Sequence, residues 1–199
     1  MIMRGKFIAY YGINNLGKTY QAQRMVEWLN THDIWAEYRK DPAYNLDPFG
    51  PIINNYLRGG NPYGLTSRQI QTCYMLNRDQ LEPIWEVKLE NGTWVIAEDY
   101  TGTGIAWGVA GGVSKDYLIS INKHLVKPDL SILFEGERFT NAVEEGHLHE
   151  EDDGLTERSA KAHRELAVSE GWVSVNANQT RDQVFAELLA IIKYSFDLG

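Results

Sequence analysis

The chain has 199 residues, of which 43% are hydrophobic and 23% charged, a composition suited to one globular domain over 1–199. Its net charge of −8 argues against general affinity for nucleic acid or anionic membranes. The lone Cys73 excludes a disulfide framework and a four-cysteine metal site, and no apolar run reaches the length of a membrane span.

Met1 to Lys6 lack the pattern of a signal peptide, so the cytoplasm is the expected compartment. The first expected strand runs from Lys6 to Tyr11 and a helix follows from Tyr20 to Leu29. A second strand is expected over Asp33 to Tyr38. Residues 39–66 hold five breaker pairs, Asp41-Pro42 among them, around a short helix at Ile52 to Leu57. One long helix is expected from Ser67 to Leu89, with Ile70, Cys73, Tyr74, Asn77, Leu81, Ile84 and Trp85 on its apolar stripe.

Thr93 to Ala97 form a short third strand, with Glu98 and Asp99 at its C-terminal end. Open α/β sheets place ligands at that end. A helix over Tyr117 to Leu125 and a strand over Asp129 to Phe134 come next. Residues 135–164 are highly charged with little apolar pattern and form a candidate lid. Its His147-x-His149-Glu150 cluster has metal-ligating side chains but lacks further paired ligands. A fifth strand at Trp172 to Val175 and a helix at Val184 to Tyr194 close the chain. This alternation predicts an α/β fold with a five-stranded, mainly parallel sheet.

Between the first strand and first helix stands Gly12-Ile13-Asn14-Asn15-Leu16-Gly17-Lys18-Thr19, the G-x-x-x-x-G-K-T phosphate loop. Strand, glycine loop and helix is the context this motif requires, and it makes the expected fold class α/β, a P-loop NTPase three-layer α/β/α sandwich with a five-stranded, mainly parallel sheet. Its glycines let successive backbone N–H groups converge on one point, and the helix N-terminus adds partial positive charge. Lys18 can reach the β- and γ-phosphates of ATP, and the Thr19 hydroxyl can bind Mg²⁺. Asn14, Asn15, Leu16 and Tyr20 complete the expected donor contacts.

Beyond the loop, the chain resembles the thymidylate kinase family along nearly its whole length. Lys40-Asp41-Pro42 resembles the family's Arg-Glu-Pro, and Tyr74-Met75-Leu76-Asn77-Arg78 its aromatic-x-Ala-x-Arg. Lys127-Pro128-Asp129-Leu130 matches its Lys-Pro-Asp-Leu, and Val175 to Gln179 resembles its Asp-Ala-x-Gln adenine loop. The resemblance implies transfer of the ATP γ-phosphoryl to dTMP, with Mg²⁺, by a homodimer. It implies catalytic roles for Lys18, Asp41 and Glu98, and metal ligation by Thr19 and Glu98. Asn176, Ala177 and Gln179 would border adenine, Tyr74 and Arg78 would read the acceptor base, and Trp107 would lie beside the acceptor sugar. Taken alone, Tyr74 and Trp107 are equally compatible with core packing, Arg78 with a solvated helix face and Asp41-Pro42 with a simple turn.

The chain departs from the family on the acceptor side. Tyr11 stands where the family has an acidic residue near the acceptor sugar, and Asp99 where it has an Arg that steadies phosphate. Arg39, Lys40 and Arg58 are the candidates for the missing positive charge. Two alternatives stay open at this level. One is a deoxynucleoside kinase in which Asp41 or Glu98 activates a hydroxyl; the other is a nucleotide-binding homologue without transfer activity.

Overall fold

The computed structural model describes residues 3–139 and 152–199. Five strands form one parallel sheet: β1 (Phe7–Tyr11), β2 (Ala36–Lys40), β3 (Trp94–Glu98), β4 (Leu130–Glu135) and β5 (Val173–Asn176). Their order is β2-β3-β1-β4-β5, so β1, which leads into the phosphate loop, is central.

Eight helices surround the sheet among the described residues: α1 (Lys18–Thr31), α2 (Phe49–Arg58), α3 (Ser67–Asp79), α4 (Glu82–Glu90), α5 (Thr101–Ala110), α6 (Lys115–Asn122), α7 (Asp153–Glu170) and α8 (Arg181–Phe196). Strand alternation divides the core in two. Ile8, Tyr10, Ile96, Ile132 and Phe134 pack against Ala22, Met25 and Leu29 of α1 and Leu188 and Ile192 of α8. Phe7, Ala9, Tyr11, Val95, Ala97 and Leu133 face the other way, toward Leu89 of α4 and Ala167 of α7.

Three elements differ from the sequence expectation. The long helix over Ser67–Leu89 is two helices, α3 and α4, parted at Gln80 and Leu81. Pro83 is the physical reason: it lacks an N–H and sits in the first turn of α4, where none is needed. Glycine-rich Thr101–Ala110 is helix α5, because its glycines admit close neighbours. A Cβ on Gly108 would lie 2.7 Å from Leu118 Cδ1.

The third difference is in the candidate lid, whose residues 153–164 belong to α7. Asp152 caps that helix by accepting from the Leu155 N–H at 2.8 Å. Its buried stripe is Thr156, Ser159, Ala162, His163, Leu166 and Ala167, small and polar enough to hide from a hydropathy reading. The helix packs on α5, so this half of the segment is part of the body of the domain. The histidine cluster at His147 and His149 lies outside the described residues.

Candidate functional site

The C-terminal ends of β1, β2 and β3 open into one cavity of about 650 Å³. The phosphate loop forms one wall. Asn15 at φ 62° and Gly17 at φ 77° take left-handed backbone, which turns the loop into the α1 N-terminus. Gly12, at φ 132°, is held close to β4: a Cβ there would lie 2.6 Å from the Phe134 carbonyl oxygen. Asn14, Asn15, Leu16, Gly17, Lys18, Thr19 and Tyr20 line this wall. Gly12 stands behind it and contributes its carbonyl to Lys18.

Lys18 is buried. Its Nζ donates to the carbonyls of Gly12 at 3.1 Å and Ile13 at 2.7 Å, and lies 3.4 Å from Asp99 Oδ1. Asp99 takes left-handed backbone at φ 61°, and its carboxylate also accepts from the Thr103 hydroxyl at 3.2 Å. Burial raises the Asp99 pKa above the usual carboxylate value, with Lys18 opposing and Glu98 reinforcing the shift.

Glu98 is held from three directions. Its Oε1 accepts from the Thr19 hydroxyl at 2.8 Å and from Lys40 Nζ at 2.9 Å, and its Oε2 accepts from the Tyr38 hydroxyl. Burial pushes the Glu98 carboxyl up, but Lys40 and Lys18 outweigh it and hold the pKa below the ordinary value. Thr19 and Glu98 thus offer a hydroxyl and an ionised carboxylate 2.8 Å apart, hard oxygen donors that fit Mg²⁺. Among the described residues, no cluster of three or more His, Cys, Asp or Glu could hold a metal.

The far wall comes from α3, α5 and the loop after β2. Tyr74, Arg78, Gly104 and Trp107 line it, with Tyr44 and Arg58. Arg78 is buried, with Nη1 donating to Asn122 Oδ1 at 3.4 Å and Nε without a hydrogen-bond partner. Asn77 fixes the turn after Asp41 from the same helix. It accepts from the Ala43 N–H at 2.8 Å and donates to the Ala43 carbonyl at 3.1 Å. Asp41 also lines the cavity, with both oxygens held by Arg39 at 2.9 and 3.2 Å.

The family model described as thymidylate kinase matches residues 11–188. The chain belongs to the thymidylate kinase family. As a member, it is an ATP-dependent phosphotransferase, a kinase of thymidylate. It is 28% identical over 200 residues to the thymidylate kinase of Dictyostelium discoideum, covering 98% of this chain and 88% of the relative. The human thymidylate kinase is 24% identical over 191 residues, 93% of this chain and 88% of its own. A solved thymidylate kinase from Candida albicans shares the fold with a TM-score of 0.82 at 23% identity, over 96% of this chain and 92% of that one.

Two expected site residues lie elsewhere. Tyr11 faces away from the cavity and stacks on Trp172 with ring centroids 4.2 Å apart; burial raises its pKa, and Thr101, the Gly102 backbone and Ser131 near the hydroxyl oppose the rise. Alternation along β1 is the reason, since Tyr11 shares the face of Phe7 and Ala9. Asn176 is exposed and outside the cavity wall; its carbonyl accepts from Gln179 Nε2 at 3.1 Å, while Ala177 and Gln179 do line the cavity.

Sequence reasoning missed Tyr38, Thr103 and Arg181. Tyr38 was findable, because it precedes Lys40 by two on a strand and so shares its face. Arg181 lies at the start of α8, 4.8 Å from the Tyr20 ring, and no local signal points to it.

Proposed function

We propose that this cavity transfers the γ-phosphoryl group of ATP to dTMP, giving dTDP, with Mg²⁺ bound through Thr19 and Glu98. One observation carries the reading. The phosphate loop and the Tyr74–Arg78 face of α3 open onto the same cavity, so donor and acceptor can meet end to end.

Lys18 and the loop amides hold the donor phosphates. Ala177 and Gln179 border the donor base, next to Arg181 and Tyr20. The metal supplies neutralisation of phosphate charge. Tyr38 and Lys40 keep the Glu98 carboxylate ionised and oriented for it. Arg78 presents donors to the acceptor base, with Tyr74 and Trp107 as apolar walls. An acceptor phosphate is already anionic, so no general base is needed.

Of the three candidates for the missing cation, Arg39 is buried behind Asp41, whereas Lys40 and Arg58 line the cavity. Those two are assigned to the acceptor phosphate. A homodimer is carried over from the family resemblance alone, and the cytoplasm stays the expected compartment.

A coupled ADP-release assay over the nucleoside monophosphates and thymidine tests the proposal. The expected result is ATP-dependent turnover of dTMP. Turnover of another acceptor with none on dTMP rejects the acceptor, and failure to bind ATP rejects the whole assignment.

A further inference from the structure

Around Asp41, the cavity-lining carboxylate to which the family resemblance gives a catalytic role, lies a buried charged array whose other members the reaction as described does not use. Arg39, Asp41 and Glu82 are each at most 5% exposed. Arg39 turns its Nε and Nη2 to the two oxygens of Asp41, at 2.9 and 3.2 Å, and its Nη1 to Glu82 Oε2, at 3.3 Å. Glu82 is anchored in turn: its Oε1 accepts from the Tyr100 hydroxyl at 2.9 Å and from the Val126 backbone N–H. The guanidinium also lies over the Tyr100 ring, 4.8 Å from its centroid.

Such an array is a weak device for stability. Desolvating three charges costs several kcal/mol each, and apolar packing of equal volume commonly does as well. Its geometry does something apolar packing cannot. Arg39 is gripped at both ends, so it can neither rotate nor follow Asp41 if that side chain moves. Asp41 donates its own N–H to the Glu98 carbonyl at 2.9 Å, so its backbone is fixed to β3 while its carboxylate is fixed through Arg39. The chain of contacts runs from the start of α4 to the cavity lining.

We propose that Glu82 is a positioning residue for phosphoryl transfer, acting through Arg39 to hold the Asp41 carboxylate at the cavity floor. Glu82 touches no ligand; it sets where Asp41 stands. The inference rests on the phosphotransferase reading but not on the identity of the acceptor.

The test is a kinetic double-mutant cycle on the full chain with Glu82→Gln, Asp41→Asn and the pair, using whichever acceptor the wild-type protein turns over. Displacements near 1 Å cost up to about 100-fold in rate, so Glu82→Gln is expected to lower kcat roughly 10- to 100-fold with both KM values within about threefold. In the Asp41→Asn background the same substitution is expected to change kcat by less than about twofold, because its target is gone. A purely structural Glu82 would lower kcat by the same factor in both backgrounds, and that outcome overturns the inference. An unchanged kcat for Asp41→Asn or for Glu82→Gln also overturns it. If Glu82→Gln does not fold, Tyr100→Phe, which removes only a hydroxyl on Glu82, should show the same pattern with smaller amplitude; additivity there is equally fatal. Activity on an acceptor other than dTMP would sink the dTMP assignment and leave this cycle valid, whereas no ATP-dependent activity at all would sink both.

Discussion

Asp99 Oδ1 lies 3.4 Å from Lys18 Nζ, which places a carboxylate against the one lysine of the phosphate loop. Lys18 cannot serve a phosphate and Asp99 equally. Removing a unit charge about 4 Å away is worth about 1 kcal/mol even at the dielectric of water. Asp99→Asn is therefore expected to tighten ATP binding roughly fivefold or more. Calorimetry with and without Mg²⁺ measures it, and unchanged or weaker binding would show that Asp99 does not compete with phosphate for Lys18.

Gly104 is matched to Arg78. A Cβ at position 104 would lie 2.7 Å from one terminal guanidinium nitrogen and 3.0 Å from the other. Gly104→Ala should push the guanidinium off its present position without breaking α5. The loss of one charge-assisted hydrogen bond predicts about a tenfold rise in acceptor KM. The KM for ATP is expected to stay within about twofold. Steady-state kinetics varying each substrate in turn decides, and a rise in the ATP KM alone would contradict the role given to Arg78.

Tyr11 supports the core behind the loop rather than the acceptor. Tyr11→Phe should cost about 1 kcal/mol of stability or less, since it removes a buried hydroxyl near Thr101 and Ser131 and keeps the ring on Trp172. Acceptor KM should be unchanged within about twofold. Denaturant unfolding and kinetics on one preparation make the comparison; a tenfold increase in acceptor KM would return Tyr11 to the site.

His163 is fully enclosed on α7. Its Nδ1–H donates to the Ser159 carbonyl at 2.8 Å, Nε2 has no partner, and burial pushes the ring pKa down to about 3 from 6.5. Between those values the unfolded chain binds a proton that the folded chain refuses. The histidine's contribution is therefore full above about pH 6.5 and declines as pH falls toward 3, by about 1.4 kcal/mol per pH unit. From pH 6.5 to 5 the wild type should lose about 2 kcal/mol more than His163→Leu. Unfolding midpoints at the two pH values check this, and parallel losses in both proteins would refute it.

Much of the site was legible because its chemistry is local. Gly12 to Thr19 require only a strand before and a helix after, and both are encoded within a few residues. Tyr74 and Arg78 are one helical turn apart, so one face was enough to join them. Pro83 marks the break between α3 and α4, but an apolar stripe that continues through Ile84 and Trp85 carries the helical period across it. Helices α5 and α7 were illegible for a different reason. Their buried faces mix glycine, serine, threonine and histidine with alanine, Trp107 and Leu166, which blurs the apolar period, and the glycines of α5 are there for close approach to neighbours.

The sequence by itself determined that this chain has a phosphate loop on a parallel α/β sheet, since backbone geometry and short-range spacing specify both. Which carboxylates meet which cations was decided only by tertiary structure. Arg39, Lys40 and Arg58 are equivalent charges in one dimension. Strand alternation sends Arg39 into the interior, where Asp41 and Glu82 neutralise it, and leaves Lys40 on the cavity wall, while Arg58 reaches that wall from the end of α2. Electrostatics depends on distances between residues far apart in the chain, and only the packed fold sets those distances.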